Sequence, residues 1–149
     1  MLEIINNYPQ IVLAEPNYEK SVIIQDFFKS RNVARVIETL RDGIETLDFI
    51  KSMKVYNFKL KGILINLELP YVNEVLNSIN KTEHLKDIPI IIFSDKEKNF
   101  INTKYGINDK SHILKPMQLI KCEEIIKSSD NNSLRAPVFC GRKKSSYLL

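Results

Sequence analysis

Four polar residues stand where short apolar runs break off. Glu15 follows IVLA, Asn66 lies near the end of GILINLEL, Ser94 follows IIIF and Lys115 follows HIL. In a parallel sheet, ligands bind beyond the carboxyl ends of the strands. If these runs are neighbouring parallel strands, an acid, an amide, a hydroxyl and an amine converge on one mouth. Glu15 acquires meaning from Lys115, the cation with which it is expected to pair. Asn66 sits inside an apolar run, so its burial requires a hydrogen-bond partner. Ser94 is also placed to cap a helix. Metal-site spacings such as C-x-x-C are absent, and Cys122 and Cys140 read as reduced thiols.

The elements that must position these residues alternate along the chain. Ile11 to Ala14 is strand-like, and Tyr18 to Ser30 sets Ile23 and Ile24 against Phe27 and Phe28 at helical spacing. Val33 to Leu40 is β-branched and strand-like. Asp42 and Glu45 have the spacing of a helix cap and its N3 partner, opening a helix with Ile44, Leu47 and Ile50 on one face. Gly62 to Leu69 is apolar at nearly every position up to Asn66, the pattern of a strand buried on both faces. Val72 to Asn80 reads as helix, Ile88 to Phe93 as strand, and Ser94 with Glu97 as the cap of another helix. His112 to Leu114 is a short last strand, and Met117 to Lys127 a last helix with Leu119, Cys122 and Ile126 on one face. Strands alternating with helices predict an α/β fold with a parallel sheet.

Composition narrows the class. The apolar share is 44% and the charged share 27%, values of a globular protein that builds an ordinary core. No apolar run approaches the ~18 residues of a membrane span. The start, MLEII, lacks the basic and small-residue pattern of a signal peptide, which sets the expectation of a cytoplasmic protein. The net charge of +4 is concentrated in the last stretch, where Arg135, Arg142, Lys143 and Lys144 face only Asp130. A nucleic-acid reader carries its basic surplus on the folded body, so nucleic acid is not the expected partner. The chain therefore divides into a folded unit over 1–129 and a basic tail over 130–149, solvated or docked in part through Val138 and Phe139.

The segments IVLAEPN, GILINLELP, IIIFSD and HILKP resemble the strand-end motifs of the response-regulator receiver domain of two-component phosphorelay signalling. The resemblance covers about residues 9 to 128 and keeps the element order. LRDGIETLDFI and LKDIPIIIFSD are similar to single-domain receivers that partner phytochrome-type and hybrid histidine kinases. The resemblance implies a flavodoxin-like (βα)5 doubly wound fold, with strand order 2-1-3-4-5. It also implies a cytoplasmic signalling module rather than an enzyme. Receivers take a phosphoryl group on an aspartate ending the third strand and bind Mg²⁺ with two acids after the first. Ser94 and Lys115, the latter followed by Pro116, match the family's phosphoryl-contacting hydroxyl and amine. The resemblance further suggests a cis Lys115–Pro116 bond and assigns His112 the family's switch position.

Two positions depart from that pattern. Asn66 stands where the phospho-accepting aspartate is expected, and Pro16 replaces the second acid beside Glu15. An amide is not a nucleophile of the carboxylate kind, and Mg²⁺ favours hard oxygen donors that usually include carboxylates. Glu68, two residues after Asn66, is the nearest substitute ligand or acceptor. The expectation is a degenerate pseudo-receiver, without cofactor and with Mg²⁺ binding lost or very weak. It would act by phosphorylation-independent contact with a sensor kinase or downstream effector. The candidate interaction face carries Lys98, Asn102, Lys121 and Glu124, and a second copy of the chain is a further candidate partner there. The alternative is a phosphorylatable regulator using a non-standard acceptor.

Overall fold

The computed structural model describes residues 9–56, 60–96, 98–105 and 111–135, with backbone only at 53–56, 98, 99, 102, 103 and 129–135. Five parallel strands form one sheet in the order β2-β1-β3-β4-β5. They are β1 (Gln10–Ala14), β2 (Arg35–Leu40), β3 (Leu60–Asn66), β4 (Ile90–Phe93) and β5 (His112–Leu114). Helices α1 (Tyr18–Arg31), α2 (Gly43–Tyr56), α3 (Val72–Lys81), α4 (Lys98–Tyr105) and α5 (Leu119–Arg135) follow them in turn. The alternating sequence predicts the parallel α/β sheet, and the doubly wound, flavodoxin-like order is the one the family resemblance implies.

The sheet is buried on both faces because its central strands are apolar at consecutive positions. Ile63 and Ile65 of β3 point into a cluster with Ile50, Val75, Leu76, Ile79 and Ile101 from α2, α3 and α4. Leu64 points the other way, to Ile24 and Phe28 of α1 and Leu119, Cys122 and Ile126 of α5. Burial withholds water from the Cys122 thiol and pushes its pKa up to about 12, so it is a neutral, inert part of that cluster.

Several boundaries differ from the sequence reading. Strand β3 stops at Asn66, and Leu67 and Leu69 are buried from the turn that follows. Ile23 and Ile44 are 54% and 57% exposed, so α1 relies on Ile24 and Phe28, and α2 on Ile50 with the half-buried Leu47 and Phe49. The Asp42 cap is present: its Oδ1 accepts from the Glu45 amide at 2.9 Å, and Glu45 Oε1 accepts from the Arg41 amide at 2.9 Å. Helix α5 begins at Leu119 and continues through Arg135, past Lys127, where its apolar periodicity fades. Val138, Phe139 and Cys140 lie outside the described residues.

Polar contacts fix how two of the helices dock. Glu123 of α5, only 4% exposed, accepts from Arg31 at the end of α1 at 2.7 Å and is joined by Lys127 at 2.9 Å. The Arg31 hydrogen bond, then that of Lys127, holds the Glu123 carboxyl below the usual glutamate range. Gly43 opens α2 against the loop after β3, its amide donating to the Pro70 carbonyl at 2.8 Å. A β-carbon at 43 would stand 2.3 Å from that carbonyl oxygen and 2.7 Å from Tyr71 Cβ, and Tyr71 is itself left-handed at φ 63°.

Two outcomes follow from these contacts. Gly43→Ala forces backbone apart from backbone and should cost about 1–3 kcal/mol in urea denaturation; an unchanged midpoint would contradict the close approach. A carboxyl with a lowered folded-state pKa stabilises above its unfolded value, and that stability is lost as pH falls through the folded value. The wild type should therefore melt above Glu123→Gln near neutrality. That gap should shrink as pH drops below the ordinary glutamate value of 4.5.

Candidate functional site at the carboxyl ends of the strands

Three of the four strand-end positions are held by one more rung of the sheet ladder. The Glu15 amide donates to the Leu40 carbonyl at 2.9 Å, the Leu67 amide to Phe93 at 3.0 Å, and the Ser94 amide to Leu114 at 2.9 Å. These rungs hold Glu15, Asn66 and Ser94 at one edge, all of them buried, at 3%, 8% and 8% exposure.

The centre of the site is a hydrogen bond between strands. Asn66 Nδ2 donates to Glu15 Oε1 at 2.9 Å, and the Asn17 amide donates to Glu15 Oε2 at 2.9 Å. Asn66 Oδ1 in turn accepts from the Glu68 amide at 2.8 Å. Asn17 also caps α1, its Oδ1 accepting from the Lys20 amide at 2.9 Å, so Glu15 is braced by the first turn of that helix. Pro16, half-buried between them, fixes the backbone and donates nothing.

Ser94 caps a turn and not the helix: its Oγ accepts from the Lys96 amide at 3.0 Å, and α4 starts at Lys98. Glu97 lies outside the described residues. A cavity of about 180 Å³ opens over Asn66 and Ser94, walled by Lys20, Glu68, Lys96, Tyr105 and Pro116 among others. Glu68 is exposed there.

Lys115 departs from expectation. It is exposed, it is not among the residues walling the cavity, and among the described residues no ion pair joins it to Glu15. Every described peptide bond is trans, including Lys115–Pro116. The physical reason for the lysine's position lies in the donors already present. Each Glu15 oxygen already accepts a hydrogen bond, and a hydrogen bond to a charged group is worth about 1.5–3 kcal/mol. Those neutral donors satisfy the buried carboxylate while the Lys115 ammonium stays in water. The chain instead closes a local turn. The Lys115 amide donates to Gln118 Oε1 at 2.7 Å, the Gln118 amide to the Lys115 carbonyl at 3.2 Å, and Met117 is left-handed at φ 65°.

Two cations do reach the cavity wall, Lys20 and Lys96. Strand-end reasoning misses them because each lies a few helical or turn residues beyond its strand. It misses Arg41 as well. The Arg41 Nη1 donates to the Glu15 carbonyl at 3.2 Å and to Ser21 Oγ at 2.8 Å, and its guanidinium covers the Tyr18 ring at 5.2 Å. His112 is exposed on β5. On the α4–α5 side, Lys121 and Glu124 are exposed, while the side chains of Lys98 and Asn102 lie outside the described set. Phe100 and Ile120 are 46% and 50% exposed. Among the described residues, no group of three or more His, Cys, Asp or Glu is placed to hold a metal ion, and no helix is long and apolar enough to cross a membrane.

A five-stranded parallel sheet in this order, with polar residues gathered at its carboxyl edge, is a flavodoxin-like architecture that response regulators of known structure share. The chain is 29% identical over 111 residues to the probable methanogenesis regulatory protein FilR2 of Methanothrix harundinacea, covering 72% of each. It is 28% identical over 94 residues to the response regulator Rcp1 of Synechocystis, covering 60% of this chain and 64% of that protein. Its fold superposes on the phosphorylated cyanobacterial phytochrome response regulator RcpA with a TM-score of 0.62 and 26% identity, covering 85% of this chain and 94% of that one. No family model matches the chain. The sequence and structural likenesses together support a response-regulator receiver domain of two-component signalling.

The exposed position of Lys115 generates a prediction. Lys115→Ala should leave the urea midpoint within about 0.5 kcal/mol of wild type, as for surface substitutions generally. A loss above about 2 kcal/mol would indicate a buried partner for its ammonium.

Proposed function

We propose that this chain is a receiver-type module that signals by protein–protein contact in the cytoplasm and carries no phosphoryl group. It is a pseudo-receiver and not an enzyme. The observation that carries this reading is Asn66 itself. At the end of β3, where an acyl phosphate needs a carboxylate, there is an amide whose nitrogen is committed to Glu15. Pro16 withholds the second acid. With one buried carboxylate already holding two donors, the edge has little to offer Mg²⁺. Phosphoryl transfer depends on neutralising charge at the reacting oxygens, and that help is lacking here.

The face made by α4, β5 and α5 is the proposed contact surface, with exposed Phe100, Ile120, Lys121 and Glu124. A sensor kinase, a downstream effector or a second copy of the chain, forming a homodimer, fits such a mixed apolar and charged face. A second reading is favoured by one observation: Glu68 is exposed at the cavity wall and is a carboxylate. Under it the chain would be phosphorylated at Glu68.

Intact-mass measurement after acetyl phosphate and Mg²⁺ separates the two. The wild type is expected to gain no phosphoryl group, whereas a gain abolished by Glu68→Gln would establish the second reading. Restoring the acceptor alone should do little. Pro16→Asp combined with Asn66→Asp should be phosphorylated much further than either single variant, with circular dichroism checking that each is folded. Equal phosphorylation of Asn66→Asp and the double variant would show that Pro16 does not impair the site.

A further inference from the structure

We propose that the Asn66 amide takes the place of a divalent cation at this strand edge, closing β1 to β3 through Glu15 in a carboxylate–amide pair whose polarity is reversible. This goes beyond the contact-module reading and stands whether or not a partner binds the α4–α5 face.

Both ends of the pair have partners. Glu15 Oε1 and Oε2 each accept one hydrogen bond, from Asn66 Nδ2 and the Asn17 amide. Asn66 Oδ1 accepts from the Glu68 amide. The amide orientation is fixed by chemistry: exchanging its oxygen and nitrogen would set oxygen against Glu15 Oε1 and a donor against the Glu68 amide. An entering cation would have to share a buried carboxylate with the donors of Asn66 and Asn17 and still find further oxygen ligands. The amide supplies the positive end that the carboxylate needs, at no desolvation cost to an ion.

The same census shows what a variant must preserve. Asn66→Asp leaves two carboxylates 2.9 Å apart with no donor between them, a like-charge pair that calls for a proton or a cation. Glu15→Gln leaves two amides, and whichever way the new one turns, one of its ends is mismatched: donor meets donor. The exchange of Glu15→Gln together with Asn66→Asp keeps every bond. The amide nitrogen now at position 15 donates to one oxygen of the carboxylate now at position 66. The amide oxygen at position 15 accepts from the Asn17 backbone, and the second carboxylate oxygen at position 66 accepts from the Glu68 backbone.

Thermal unfolding of the full chain and these three variants tests the pair, in EDTA and in about 10 mM Mg²⁺ with NaCl matched for ionic strength. Wild type should melt at the same temperature in both. Each single variant should melt roughly 5 °C or more lower in EDTA, and Mg²⁺ should partly recover Asn66→Asp alone, by relieving its two facing carboxylates without the third acid that phosphoryl transfer lacks at Pro16. The exchanged double variant should return to within about 2 °C of wild type and ignore Mg²⁺. If Asn66→Asp does not fold, the comparison of Glu15→Gln with the double variant decides, because the second substitution must then stabilise. A double variant no more stable than Glu15→Gln, or a wild type raised by Mg²⁺ as much as Asn66→Asp, would overturn the proposal.

Discussion

A buried carboxylate at a sheet edge must have donors, and the rest of this site follows from where they come from. Glu15 finds one on the neighbouring strand, in the Asn66 side chain, and one in its own chain two residues on, in the Asn17 amide. Both are neutral and both are built into the fold. An unpaired buried charge would cost several kcal/mol, so this satisfaction decides whether the edge needs an ion. It also leaves Lys115 free of any structural duty to Glu15, and that lysine is exposed.

The edge is rigid because the sheet beneath it is. Backbone rungs to Leu40, Phe93 and Leu114 carry the register of the strands into the residues beyond them. Apolar layers on both faces hold those strands in place, with α1 and α5 on one side and α2, α3 and α4 on the other. The Arg31–Glu123 contact ties the first helix to the last, so the layer behind β1 and β3 closes on polar as well as apolar grounds.

Much of this was legible in the chain. Continuous apolar runs such as GILIN announce a strand buried on both faces, and the residues that end them are the ones that reach the edge. Asn66 needed a partner by the logic of burial, and it has one. The pairing itself was not legible, because sequence gives residue types at an edge but not which donor arrives first. Lys115 was the obvious counter-ion by charge, yet a neutral amide on the adjacent strand stands 2.9 Å from the carboxylate and costs less to desolvate than an ammonium. Ile44 fits the helical period but falls on the water side, since α2 meets the sheet through Leu47, Phe49 and Ile50. The reach of α5 to Arg135 was hidden because its last two turns are polar, and helical backbone there leaves no apolar signature.

The contact of Gly43 with Pro70 has a mechanical meaning. One backbone hydrogen bond and a gap too narrow for a methyl group make the start of α2 and the loop after β3 a single part. Tyr71, exposed where that loop enters α3, therefore cannot move toward Gly43 without displacing the start of α2. A larger residue at position 43 would part the two, so the joint between a fourteen-residue helix and this loop depends on the smallest side chain in the chain.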